Sequence, residues 1–219
     1  PNIFDLCIMD EAGQCNIAVS LIPIVRANNL LLVGDTNQLQ PVTVLDTDLN
    51  DLLRNRYGVK KEYDYIKNSI LSTMLNKDNN SKVILLRYHY RCGKLIANFS
   101  NQRFYENQLE LLNKNPGNLL YYNVITHPNP SLKNASIQEA NEIVNIIKRN
   151  NFKDVGIVTP FVNQADLINR KLQENNIKNV VCGTIHTLQG SEKKVIIMSA
   201  AISLKTSRKV MDWLKNNAE

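Results

Sequence analysis

No apolar stretch in this chain approaches the roughly 20 residues that a helix needs to cross a bilayer. The longest, around Leu21 to Ile24 and Leu30 to Val33, is interrupted by Pro23, Arg26, Asn28 and Asn29, so the sequence offers no membrane span. No secretory leader is visible. Cysteine is scarce: Cys7, Cys15, Cys92 and Cys182 have no CxxC spacing, and Cys7 and Cys182 lie in or beside apolar strand candidates. They read as reduced, mostly buried thiols of a cytoplasmic protein, with nucleus or nucleoid as the alternative intracellular sites, and not as a disulfide framework. The histidines, His89, His127 and His186, are scattered without a ligand pattern, which argues against a zinc site. There is no internal repeat, and asparagine is abundant without forming a low-complexity tract. A Gly-x-x-x-x-Gly-Lys-Ser/Thr loop is also missing. Nucleotide phosphates need its backbone N–H groups and its lysine, so the chain cannot complete an ATP site alone.

What is present suits a globular protein of one or two domains: 219 residues, 43% of them hydrophobic, with a formal charge of +6. That charge favours an anionic partner only modestly, because ordinary proteins reach it too. Apolar runs alternate with amphipathic stretches, the pattern of a doubly wound α/β fold with parallel sheets. Strand candidates are Phe4 to Met9, Leu30 to Val33, Val83 to Leu86, Leu119 to Val124, Val155 to Thr159, Val180 to Cys182 and Val195 to Ala200. Helices are expected over Ile17 to Arg26, Tyr63 to Leu75, Gly93 to Asn101, Ile137 to Asn150, Asn163 to Asn175 and Ser207 to Asn217. Ser136-Ile137-Gln138-Glu139 fits a capping box, with hydroxyl and carboxylate satisfying free N–H groups at the helix start. The polar run Asn76 to Ser81 suits a linker, dividing residues 1–78 from 79–219. Asn113 to Gly117 and His127 to Pro130 read as loops.

The chemistry concentrates where apolar runs end. Phe4 to Met9 leads into Asp10-Glu11-Ala12-Gly13-Gln14, and Asn29 to Val33 leads into Gly34-Asp35-Thr36-Asn37-Gln38-Leu39-Gln40-Pro41. Ligands of open parallel sheets sit beyond the carboxyl ends of the strands. There Asp10 can hold the Mg2+ that bridges nucleotide phosphates, and Glu11 can orient the attacking water or act as its base.

DEAGQ followed by VGDTNQLQPV resembles motifs II and III of superfamily 1 DNA/RNA helicases, in the branch that includes senataxin and the nonsense-mediated-decay helicase. LRYHYRC at Leu86 to Cys92, followed by Ile96 to Asn101 and Arg103-Phe104-Tyr105, resembles the motif IV region. VGIVTPFVNQ at Val155 to Gln164 resembles the motif usually written with Pro-Tyr, and GTIHTLQGSEKKVIIMS at Gly183 to Ser199 resembles motif V. The resemblance runs nearly end to end in the family order. It implies RecA-like lobes, a partial first lobe over 1–78 and most of a second over 79–219, with ATP and Mg2+ between them and single-stranded DNA or RNA crossing both.

The resemblance also implies roles for residues. Gln38 contacts the γ-phosphate or the attacking water, and Gln14 couples; Asp35 is a candidate cap of the loop that carries Gln38. Arg91 reaches the γ-phosphate from the second lobe like an arginine finger supplied in cis. His89 and Cys92 depart from the family pattern on either side of the matching Tyr90-Arg91 pair. In motif V, Gly190 permits a backbone shape that a side chain opposes, and Glu192 accepts hydrogen bonds from a nucleotide ribose. Thr159, Pro160, Thr184 and His186 match positions that touch the nucleic-acid backbone. Phe161 fits either base stacking or a core, while Lys193 and Lys194 fit solvated charge. The family places its phosphate loop upstream of Pro1 and its last motif beyond Glu219, so the chain is expected to be a fragment of an ATP-dependent helicase or translocase. The alternatives are a nucleic-acid-binding module and a P-loop ATPase acting on another partner.

Overall fold

The computed structural model describes residues 3–78, 80–122, 124, 133–203 and 206–216. It is a mixed α/β protein with parallel strands, consistent with a partial RecA-like domain, and it divides into two compact units, Pro1–Leu119 and Leu120–Glu219. The unit boundary at Leu119 falls later in the chain than the linker read at Asn76 to Ser81. The expected loop His127 to Pro130 lies outside the described residues.

The first unit opens with a β-α-β element: β1 (Phe4–Met9), α1 (Ile17–Ile24) and β2 (Ala27–Leu32). The strands pair in parallel from Phe4↔Ala27 to Met9↔Leu32. Asn16 starts α1 by accepting the Val19 N–H at 3.0 Å, one of the donors a helix start leaves unpaired. A helix absent from the sequence expectation follows, α2 (Thr47–Tyr57), capped by Asp46 and closed by left-handed Gly58 at φ 63°. The expected helix Tyr63 to Leu75 is shorter, α3 (Ile70–Lys77), begun by a Ser69/Ser72 capping box. Buried Asp64 occupies the gap before it, accepting from Asn50 Nδ2, Arg54 and the N–H groups of Ile66 and Lys67. Then come the short strand β3 (Tyr88–His89), α4 (Lys94–Phe104) and β4 (Glu110–Leu111), with β3 and β4 parallel.

Val83 to Leu86 is not a strand, and neither are the described residues of Leu119 to Val124. Ile84, Leu86, Leu120 and Tyr121 are exposed. An apolar run becomes a strand only where a neighbouring ladder satisfies its backbone groups, and no strand pairs with these segments among the described residues.

The second unit is the better-filled one. Its sheet, order β6-β5-β7, is parallel and consists of β5 (Val155–Val158), β6 (Val180–Gly183) and β7 (Val195–Met198). Helices α5 (Ile137–Asn150) and α6 (Val162–Glu174) pack on it, burying Ile143, Val144, Ile147, Leu167, Ile168 and Leu172 against Val155 and Ile157. The short α7 (Ile185–Leu188) and α8 (Arg208–Asn216) complete the order. Ser136 caps α5 by accepting the Glu139 N–H at 3.1 Å. The Glu139 carboxylate accepts from Ser199 Oγ and the Ala201 N–H, and the Ser136 N–H donates to Gln164 Oε1 at 2.7 Å. The serine half of the expected box is present, and it belongs to a network that joins the start of α5 to α6 and to the end of β7.

Candidate nucleotide site and nucleic-acid interface

In the first unit, the chain leaves β1 through Asp10 into a left-handed residue, Glu11, at φ 51° and ψ 36°. A non-glycine residue held there costs on the order of 1–2 kcal/mol, and such strain concentrates at functional sites. The turn is held by its own side chains: Asp10 Oδ1 accepts the Glu11 N–H at 2.8 Å, and Gln14 Nε2 donates to Glu11 Oε2 at 2.9 Å. Asp10 and Glu11 are exposed beyond the strand end, while Ala12 and Gly13 beneath them are buried.

Two glycines bring the end of β2 against this turn. A Cβ on Gly13 would stand 2.4 Å from the Asp35 carbonyl oxygen, and one on Gly34 would stand 2.8 Å from the Gly13 nitrogen. The Ala12 N–H donates to the Val33 carbonyl at 2.8 Å. The acidic turn and the Gln38 loop are therefore neighbours because no side chain keeps them apart. Asp35 caps that loop, accepting the Asn37 N–H at 2.9 Å and Gln38 Nε2 at 3.0 Å.

Arg91 sits on the exposed turn between β3 and α4. His89 has a defined task there, since its Nε2 accepts the Cys92 N–H at 3.1 Å. Asn113 Nδ2 donates to the carbonyls of Tyr90 and Arg91 at 2.8 and 3.1 Å, and Gly93 lets this turn lie against Gly117. Among the described residues no cluster of three or more His, Cys, Asp or Glu forms a metal cage. One exposed strand-end carboxylate with a second beside it suits Mg2+, which keeps waters and phosphate oxygens as most of its ligands.

The second unit holds the other sequence-predicted residues. Thr159 and Pro160 directly follow β5; Thr159 is fully buried, its N–H donating to the Gly183 carbonyl at 3.1 Å and its Oγ1 accepting the Phe161 N–H at 3.4 Å. Phe161, 7% exposed, is a core aromatic. Pro160 is half-buried, as is Thr184, which stands at the N-cap position of α7 without a side-chain cap bond, its Oγ1 3.4 Å from that of Thr187. His186 on α7 and Glu192 after it are exposed, and Gly190 between them has φ 72°, a conformation that only glycine adopts cheaply. Lys193 is no free surface charge: its Nζ lies 3.1 Å from Asp154, whose carboxyl is held below its usual range by that bond and by the Lys194 N–H. The pair pins motif V to the start of β5.

Sequence reasoning missed Tyr105, Asn113 and Gln164. Gln164 is fully buried and donates to Ser199 Oγ at 2.9 Å. Tyr105 and Gln164 lie inside motif segments and Asn113 opens an expected loop, but only a fold reveals what each one holds.

Parallel sheets with an acidic, glycine-packed turn beyond a strand end define an α/β protein of the class whose ligands sit outside the carboxyl ends of the strands. A family model described as an AAA domain matches residues 2–46, and a second with the same description matches residues 129–217. An uncharacterized ATP-dependent helicase of Mycoplasma genitalium is 27% identical over 226 residues, covering 90% of this chain and 20% of that protein. The DNA replication ATP-dependent helicase/nuclease DNA2 of Gallus gallus is 28% identical, covering 90% and 19%, and Helicase SEN1 of Saccharomyces cerevisiae is 28% identical, covering 90% and 10%. These matches support a superfamily 1 helicase fragment, and the chain spans a fifth or less of the length of these three relatives. No helix among the described residues is long and apolar enough to cross a membrane.

Proposed function

We propose that this chain supplies motifs II to V of an ATP-dependent helicase or translocase that moves on single-stranded DNA or RNA. Residues 1–78 end its first RecA-like lobe and residues 79–219 form most of its second. The observation that carries this reading is the close approach of the Asp10–Glu11 turn to the Gln38 loop through Gly13 and Gly34.

Asp10 would hold Mg2+, which would supply positive charge to neutralise the nucleotide phosphates. Glu11 orients the attacking water and takes its proton. As the water oxygen bonds to the γ-phosphorus, the bond to the β,γ-bridging oxygen breaks and ADP leaves. Gln38 senses the γ-phosphate, Gln14 relays its state, and Arg91 meets the charge that grows on the transferred group. Gly190 and Glu192 lie against the nucleotide. Pro160, Thr184 and His186 contact the strand backbone, with buried Thr159 supporting Pro160 from below. Contacts of that kind carry no base sequence.

The test compares two proteins. The isolated chain should hydrolyse ATP negligibly, since it lacks the phosphate loop. A longer protein carrying this chain with that loop should show ATPase stimulated by single strands and abolished by Glu11→Gln. Strong strand binding with no stimulation would favour a binding module, and turnover indifferent to nucleic acid would favour another P-loop ATPase.

A further inference from the structure

The loop that carries Gln38 is fastened at its far side to the end of α4. Tyr105, the residue after the last turn of that helix, donates its hydroxyl to Asp35 Oδ2, the oxygen that also accepts Gln38 Nε2 at 3.0 Å. Asn37 Nδ2 donates to the Phe104 carbonyl at 2.8 Å. Burial and the neighbouring Asp35 carboxylate push the Tyr105 hydroxyl well above its usual range, so it stays a donor. A carboxylate only accepts, so Asp35 fixes which end of the Gln38 amide is which. The NH2 faces Asp35, and the carbonyl oxygen is the end that can accept a hydrogen bond from water.

Helix α4 is a strut of about 16 Å by its 1.5 Å rise per residue. At its other end Arg91 is followed directly by Cys92 and the helix cap Gly93. That end is fastened as well, by His89 to the Cys92 N–H, by Asn113, and by the Leu95 N–H to the Pro116 carbonyl at 2.8 Å. One rigid element therefore joins the turn of the arginine to the loop of the glutamine.

We propose that Tyr105 is a positioning residue for ATP hydrolysis: it locks Asp35, thereby aims the Gln38 amide, and through α4 ties that loop to the Arg91 turn. This rests on the reading of Gln38 as a phosphate- or water-facing residue. In the longer protein with its phosphate loop, Tyr105→Phe should lower strand-stimulated kcat about 3- to 10-fold, the range one lost hydrogen bond allows. KM for ATP should hold within about twofold, because ground-state binding is not the step affected. The double variant Tyr105→Phe/Gln38→Ala should be no slower than Gln38→Ala alone. Unchanged kcat in Tyr105→Phe, or multiplicative losses in the double variant, would overturn the proposal.

Hydrogen exchange on the 219-residue chain separates the clamp from the reading of Gln38. Tyr105→Phe should speed exchange of the Asn37 amide, bonded to Asp35 Oδ1, by about tenfold while leaving Ile157 in the second unit unchanged. Unchanged Asn37 exchange removes the clamp whatever Gln38 does. Faster exchange together with wild-type kcat in Gln38→Ala retains the clamp as a contact but removes the catalytic role of both residues.

Discussion

Arg91 and Thr184 offer different chemistry, and that difference is measurable. A guanidinium reaching a γ-phosphate meets charge that grows during phosphoryl transfer, and an arginine finger is worth about 10³ to 10⁵ in rate. Thr184 offers a neutral hydroxyl, half-buried and shared with Thr187; against a backbone phosphate it is worth about 0.5–1.5 kcal/mol. In the longer protein, Arg91→Ala should therefore cut kcat at saturating strand by orders of magnitude with little change in Kd for a short oligonucleotide. Thr184→Ala should raise that Kd by roughly 2- to 12-fold and leave kcat near normal. Near-normal kcat in Arg91→Ala would make Arg91 a structural residue. The fastening of its turn by His89 and Asn113 favours the finger, since a transition-state contact must be held in place before the reaction begins.

Among the elements, those with strong apolar periodicity were legible: α5 lies where its sequence put it, and β1, β5 and β6 agree closely. Helix α2 was not legible. Its start and stop signals, Asp46 and Gly58, are plain, but Leu49 and Leu52 on it are largely exposed, so no apolar face announces it. What holds α2 is Asp64 in the following turn, bonded at 3.0 Å to both Asn50 and Arg54, a pairing between distant positions that no local pattern encodes. Burial alone raises the Asp64 carboxyl, but the Ile66 N–H, Asn50, the Lys67 N–H and the Arg54 charge outweigh it, and the net shift is downward from 3.8. A carboxyl lowered in the folded state adds stability above its unfolded pKa and loses it as pH falls through the folded one. Asp64→Asn should thus cost about 3 kcal/mol near neutral pH, as expected when one partner of a buried ion pair is removed. The gap from the wild type in urea unfolding should shrink below pH about 3.8; a gap constant with pH would show that Asp64 acts by shape alone. The candidate site followed the same rule: the placement of Asp10, Glu11 and Gln38 beyond strand ends was readable, whereas the contact of Tyr105 required knowing which helix returns to which loop.

Across the whole molecule the two units are unequally filled. The second encloses Val155, Ile157, Ile168 and their neighbours between helices and a three-stranded sheet. In the first, β1 leaves Phe4, Leu6 and Ile8 at 57%, 48% and 61% exposure, and α1 leaves Val19 and Ile22 similarly open. Apolar burial at about 25 cal/mol per Å² is the main force opposing chain entropy, so a strand with one face uncovered has less to hold it closed. The relatives, of which this chain spans a fifth or less, have additional sequence with which to cover such faces. In the 219-residue chain, amides of Val155–Val158 should open only with global unfolding, while those of Phe4–Met9 exchange through cheaper local openings. A difference of at least a hundredfold, about 2.7 kcal/mol, is expected. Hydrogen exchange resolved to single strands checks it. Equal or reversed protection would show that the β1–β2 pair is stable without further cover, and the second unit would then not be the one that keeps the chain folded.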